Sequence, residues 1–392
     1  MEEIGKVLAS GVSDEEKIRM VGNILNPKNM YNEFDKCIEY RNSNGLLHRE
    51  DGPAKVYATG NVQWYLNGKL HREGGPAIIN AESDDYAEYY YIAGLLHRVD
   101  GPAVINYEGE KWYKNGKVHR EGGPAHINGS YSAYCKDGDI HRTDGPAVIY
   151  SNGDEKWFSE GKLHRKDGPA QTTSEFKKYY INGKLHREDG PAYISNDGTI
   201  KYYIDGELHN DNGPAVIVHG GTIEFYKHGK VHREDGPAII CPDGETLYYV
   251  DGKLHRTDGP AIIYNKRGIQ KYYINGKLHR TDGPALIEKD KTGYYIDSNL
   301  HRTDGPAEIT PTREAWYCEG KLHRTDGPAI VEKSGKQQWY INGKLHRTDG
   351  PAYILPNGFK GYYMNNRLHR TDGPALTYND QPIGYYIDGQ IQ

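Results

Sequence analysis

Hydrophobic positions along this chain do not gather into long apolar runs. They come in short alternating bursts separated by polar turns that contain glycine. In "TIKYYIDGELH" (199–209) β-forming residues lead into Asp205-Gly206 and out again, the signature of a two-residue hairpin. In "AVIYSNGDEKWF" (147–158) a second run turns at Ser151-Asn152-Gly153-Asp154. The predicted unit is therefore a short aromatic strand, a tight glycine turn, a longer strand broken at Asp-Gly-Pro-Ala, and another glycine turn. Proline lacks the N–H that a ladder needs and glycine tolerates unusual backbone angles, so Gly190-Pro191 and its equivalents predict a bend.

This unit repeats. "NGKLHREDGPA" (182–192) returns with small changes, and aligning on its histidine picks out His48, His71, His97, His119, His141, His164, His186, His209, His232, His255, His279, His301, His323, His346 and His369. The spacing is 22 to 24 residues, with one interval of 26 where an acidic insert around Glu82, Asp84 and Asp85 is expected to extend a surface turn.

Alternation of faces and the two-residue turn set a register. Three residues before each turn, from the second unit onward, stands an aromatic: Trp64, Tyr90, Trp112, Tyr134, Trp157, Tyr179, Tyr202, Phe225, Tyr248, Tyr272, Tyr294, Trp316, Trp339, Tyr362 and Tyr385. This first column is expected opposite the motif His, such as His186 or His346. The next residue, including Tyr180, Tyr203, Tyr249, Tyr273 and Tyr363 and interrupted by Cys135, is expected opposite the motif Leu. Rings of neighbouring units then stack, each cross-strand pair contributing roughly 0.2 to 1 kcal/mol. Within the motif, Arg187 and Asp189 share a face and predict an ion pair, whereas Arg72 and Arg120 meet Gly74 and Gly122, and the eighth unit has Asn210 and Asn212 instead.

Composition agrees with a thin β architecture: of 392 residues only 36% are hydrophobic, while 48 are Gly and 34 Tyr. The net charge of -5 removes the general attraction to nucleic acid and to anionic membrane surfaces. Cys37, Cys135, Cys241 and Cys318 are too far apart for a zinc site or a small disulfide framework and read as free thiols. No apolar stretch is long enough to span a bilayer, and "MEEIGKVLAS" lacks a signal peptide's basic start, so a cytoplasmic protein without an integral membrane segment is expected. A metal site needs converging ligands, whereas a ladder spaces equivalent atoms roughly 10 Å apart. Catalysis needs a unique constellation, yet every candidate His and Asp is repeated along the chain, and His126, His219 and His228 scatter near turns. The expectation is no enzyme, no cofactor and no metal.

Residues 1–40 break the pattern. Ile4, Val7 and Leu8, then Ile18, Val21, Ile24 and Leu25, follow helical spacing, Ser13 with Glu16 forms a capping box, and Pro27 ends the run. A helical cap over the first sheet edge is expected, with an oligomerisation or docking element as the alternative.

An aromatic, Asn-Gly-Lys, a His, a glycine-containing segment and a second glycine turn, on a period of about 23, resemble MORN repeats. The wording "NGKLHRxDGPA" is similar to divergent MORN-like arrays of large bacteriophages and giant viruses, and more distantly to bacterial MORN-type antitoxin or immunity proteins. The resemblance covers residues 41–392, with Arg-x-Asp-Gly-Pro-Ala where that family has a Gly-x-Gly segment. It implies an all-β, elongated single-layer antiparallel sheet of about fifteen hairpin repeats, ending in a half repeat and used for protein contact or membrane-associated scaffolding. The function expected on that basis is a phage- or virus-encoded chain that binds a host protein, such as a defence factor or toxin, and neutralises or recruits it. A virion, assembly or membrane-associated scaffold is the alternative. From the tenth unit onward the motif is uniformly "HRTDGPA", so a specific contact is expected where units vary: Arg72, Glu82, Asp84, Asp85, Arg98, Val99, Arg120 and Cys135, then Asn210 and Asn212. Self-association is expected through the N-terminal helices or a sheet edge.

Overall fold

The computed structural model describes residues 36–81 and 86–392, together with 6, 9–11, 13, 16, 17 and 30–32. It divides into two compact units, Met1–Asn196 and Asp197–Gln392. Each is an antiparallel sheet of hairpin repeats. In the first unit a ladder of short strands runs without a crossover from Met30–Asn32 to Tyr193–Ser195, each strand pairing with the next. In the second the same ladder runs from Ile200–Lys201 to Gln381–Gly384.

Beside each ladder stands a row of separate two-stranded hairpins, of which Tyr340–Ile341 with Lys344–Leu345 is typical. The turn between these strands has Asn342 at φ 49 and Gly343 at φ 78. Positive φ at both central residues is the type I′ geometry whose twist matches the flanking strands, which explains the Asn-Gly and Asp-Gly pairs. The predicted register holds: Tyr340 opposes Leu345, and the His346 N–H donates to the Trp339 carbonyl at 3.0 Å.

What joins one hairpin to the next is not a regular ladder. Arg324 N–H donates to Tyr340 O at 3.0 Å, Gly343 N–H donates to Leu322 O at 2.8 Å, and Asn342 N–H donates to Nδ1 of His323 at 3.1 Å. The last of these recurs along the array, from His48 to His369. A ring nitrogen that takes up the N–H of the following turn makes the motif His an inter-repeat staple.

The buried column is alanine. The motif alanines, from Ala54 to Ala375, are 0% exposed. Each is held between strands: Trp339 N–H, for example, donates to Ala352 O at 2.8 Å. Val104, Val148, Val216, Ile262, Leu286 and Ile330, each following its motif Ala, extend this column.

Two expectations require comment. The stacked ring ladder is replaced by a different arrangement: no ring pair among the described residues joins two members of the first column. A guanidinium covers thirteen of the fifteen rings instead, because the loop after the hairpin folds its Arg back over the ring. The helices expected over residues 1–30 lie mostly outside the described residues; within them, Glu16 N–H donates to Ser13 Oγ at 3.3 Å, the bond that a capping serine makes. No helix among the described residues is long and apolar enough to cross a membrane.

Candidate functional site

The Arg-x-Asp-Gly-Pro segments form one loop per repeat, each with a charged pair or a variant of it. In the tenth unit the Arg256 guanidinium carbon lies 3.9 Å from the Tyr248 ring centroid, a cation–π contact. Its Nε donates to Asp258 Oδ1 at 2.8 Å, and its Nη1 donates to Pro260 O at 3.2 Å. The motif glycine supplies the remaining wall. A Cβ placed on Gly259 would lie 3.0 Å from Arg256 Cζ, so glycine serves here to let the guanidinium approach closely and not to supply a left-handed backbone.

The same clamp covers thirteen of the fifteen first-column rings, at 3.8–4.1 Å. Tyr40 with Arg49 adds one more, which the sequence reading missed because the first hairpin has an irregular turn; a spacing of nine between ring and Arg in place of eight was the available signal. Eleven units complete the ion pair with their own Asp. In these pairs the hydrogen bond from Arg holds the carboxyl below its ordinary range, as at Asp144, Asp258 and Asp349. Arg165 and Asp167 are the right residues without that pair: Arg165 keeps its ring and its proline carbonyl only.

The residue at the loop apex, between Arg and Asp, is solvent-facing in every unit. It reads Glu50, Glu73, Val99, Glu121, Thr143, Lys166, Glu188, Asp211 and Glu234, then Thr from the tenth unit on. Successive loops enclose open grooves. One of about 570 Å³ lies between the eighth and ninth loops, and one of about 790 Å³ lies between the loops at Arg165 and Arg187.

Among the expected contact residues, Arg72, Arg98 and Arg120 are clamps over Trp64, Tyr90 and Trp112. Val99 is 89% exposed at a loop apex. Cys135 is 8% exposed in a cluster with Ala125, Ala133 and Val148, so it packs inward and presents nothing to a partner; burial also pushes its thiol up. Glu82, Asp84 and Asp85 lie outside the described residues. Trp157, Trp316 and Trp339 are ring positions under Arg165, Arg324 and Arg347. Among the described residues no cluster of three His, Cys, Asp or Glu is placed to hold a metal.

The eighth unit differs in chemistry but not in shape. Asn210 Nδ2 donates to Pro214 O at 2.8 Å, the role of Arg Nη1 elsewhere, and the Asn212 N–H donates to Asn210 Oδ1 at 3.0 Å. His209 accepts the His228 N–H on Nδ1, the two imidazoles lie 4.5 Å apart, and Nε2 of His209 is 3.2 Å from Asp211.

No protein-family model matches the chain, and no curated protein matches it in sequence.

Proposed function

We propose that this chain is a non-enzymatic, MORN-like protein-binding array whose loop row is read by a protein partner. The observation that carries this is that the solvent-facing loop apices vary on a repeated frame. Ring, His, Gly and Ala are spent on the fold, while Glu73, Val99, Glu121, Lys166, Glu188 and Glu234 all stand in solvent. An uneven row of side chains at regular spacing distinguishes one partner from another, whereas six threonines in succession offer the same surface repeatedly. The motif's resemblance to phage and giant-virus arrays makes a host protein, such as a defence factor or toxin, the class to test first.

The test exchanges those six apices for threonine, the residue the later units already carry, so the frame is retained. Full-length wild type and variant are used as bait at equal concentration, and the captured partner is quantified. A stoichiometric partner lost from the variant is expected. An identical retained set for both proteins overturns the reading, and enrichment of the chain in purified particles favours the scaffold alternative.

A further inference from the structure

We infer that the eighth unit is a receptor for a guanidinium side chain from outside the chain, an inference that rests on the protein-binding reading and names what the partner supplies. Everywhere else in the second compact unit with a motif loop, the space between the first-column ring and the motif glycine is filled by the unit's own Arg. There Cζ lies 3.9–4.1 Å from the ring centroid. It also lies only 2.9–3.1 Å from where a glycine Cβ would sit.

In the eighth unit that Arg is Asn210. Its shorter side chain satisfies the Pro214 carbonyl but does not reach across the ring: among the described residues no cation lies over Tyr202, and the nearest atom to a Cβ on Gly213 is Asn210 Nδ2 at 3.8 Å. Tyr202 remains half-buried. The unit thus keeps the glycine, the ring and the backbone of the clamp without the group that the clamp holds.

Charge points the same way. Residues 228–238 carry Lys230 and Arg233 against Glu234 and Asp235, and residues 251–261 are balanced likewise. Residues 205–215 carry Asp205, Glu207 and Asp211 with no Lys or Arg. Asp211 is 74% exposed at the apex. The net negative charge of this segment favours a cation at the aromatic face, although Lys227 and Arg233 line the groove toward the ninth loop, and a slot that holds a flat guanidinium in every neighbouring loop suits arginine over the compact ammonium of lysine.

The ligand is therefore an arginine on an extended or loop segment of a protein partner. The probe is Nα-acetyl-arginine amide titrated into the full chain, with the Tyr202 ring signal followed by NMR and assigned by its loss in Tyr202→Leu. Saturable binding near the millimolar range is expected, because one cation–π contact and a few polar contacts give no more. The acetyl-norleucine amide should leave the signal unmoved. The decisive variant is Asn210→Arg with Asn212→Asp, which restores the sequence its neighbours carry and so keeps the fold. It should weaken the arginine probe at least about tenfold by filling the slot from within. Equal binding in that variant, or no saturable shift in the wild type up to about 50 mM probe, overturns the inference. This readout needs no natural partner, so it is independent of the apex exchange: loss of partner capture there with no arginine binding here leaves the protein-binding reading standing alone.

Discussion

The eighth and tenth units fold the same loop around different chemistry. In the tenth, Arg256 bridges the Tyr248 ring, the Asp258 carboxylate and the Pro260 carbonyl. In the eighth, the Asn210 side chain meets the Pro214 carbonyl and the Asn212 N–H in their place. Yet Ala215 and Ala261 are equally buried, and His209 and His255 each accept a backbone N–H from the next turn. The difference teaches that the frame is set by backbone pairing, alanine burial and the His staple. The Arg clamp is an added layer that one unit does without.

That comparison can be broken in four ways. The largest effect belongs to what the two units share: Ala215→Leu and Ala261→Leu should each cost about 1–3 kcal/mol by overpacking a column with no free volume, measured by chemical denaturation. A large difference between them would show that the frames are not equivalent. Next, Tyr248→Ala should cost more than Tyr202→Ala, by about 0.5–1 kcal/mol, because only the first also loses a cation–π contact. Equal losses would mean that the clamp adds nothing to stability.

A smaller effect separates the glycines. Gly259→Ala places a Cβ 3.0 Å from Arg256 Cζ and must displace the guanidinium, whereas Gly213→Ala finds its nearest neighbour at 3.8 Å. The first should lower stability by roughly 0.5–1 kcal/mol and the second should be close to neutral. The smallest effect is the response to acid. Asp258 is held below its ordinary range by Arg256, so its folded pKa is depressed. Its contribution is present above the unfolded carboxylate range, near about pH 4, and is lost as pH falls through the folded value. Asp258→Asn should therefore flatten the acid limb of the stability profile slightly. Asn212→Gln should leave it unchanged, since the eighth unit has no Arg-Asp pair to titrate.

Much of this was legible along the chain. The hairpin register followed from Asn-Gly spacing alone, and Tyr340 does oppose Leu345. The Arg-Asp pairing followed from two residues sharing a face, and it holds for Arg187 and Asp189 at 2.8 Å. The expectation of ring upon ring did not hold, although the column itself is real. Periodicity places each Tyr and Trp at a known register position, but it does not say whether the face of a ring is covered by another ring or by an Arg eight residues later that folds back over it. Cys135 stands opposite Ile140, at the register position the turn spacing predicts, but it is buried in a cluster with Val148 and so is not the partner contact that its variation suggested.

Local chemistry therefore determined the parts of this protein that depend on neighbours along the chain: the tight turns, the alternation of faces, the bend at Gly-Pro and the repeat length. Only the tertiary structure decided the parts that depend on atoms brought together by stacking one repeat upon the next. These are the imidazole that accepts an N–H from the following turn, the alanine that no water reaches, and the slot beside Tyr202 that its own loop leaves open. A repeat sequence specifies the unit, but packing between units sets which groups are consumed by the fold and which remain to bind, because that depends on distances of a few ångströms between residues about twenty positions apart.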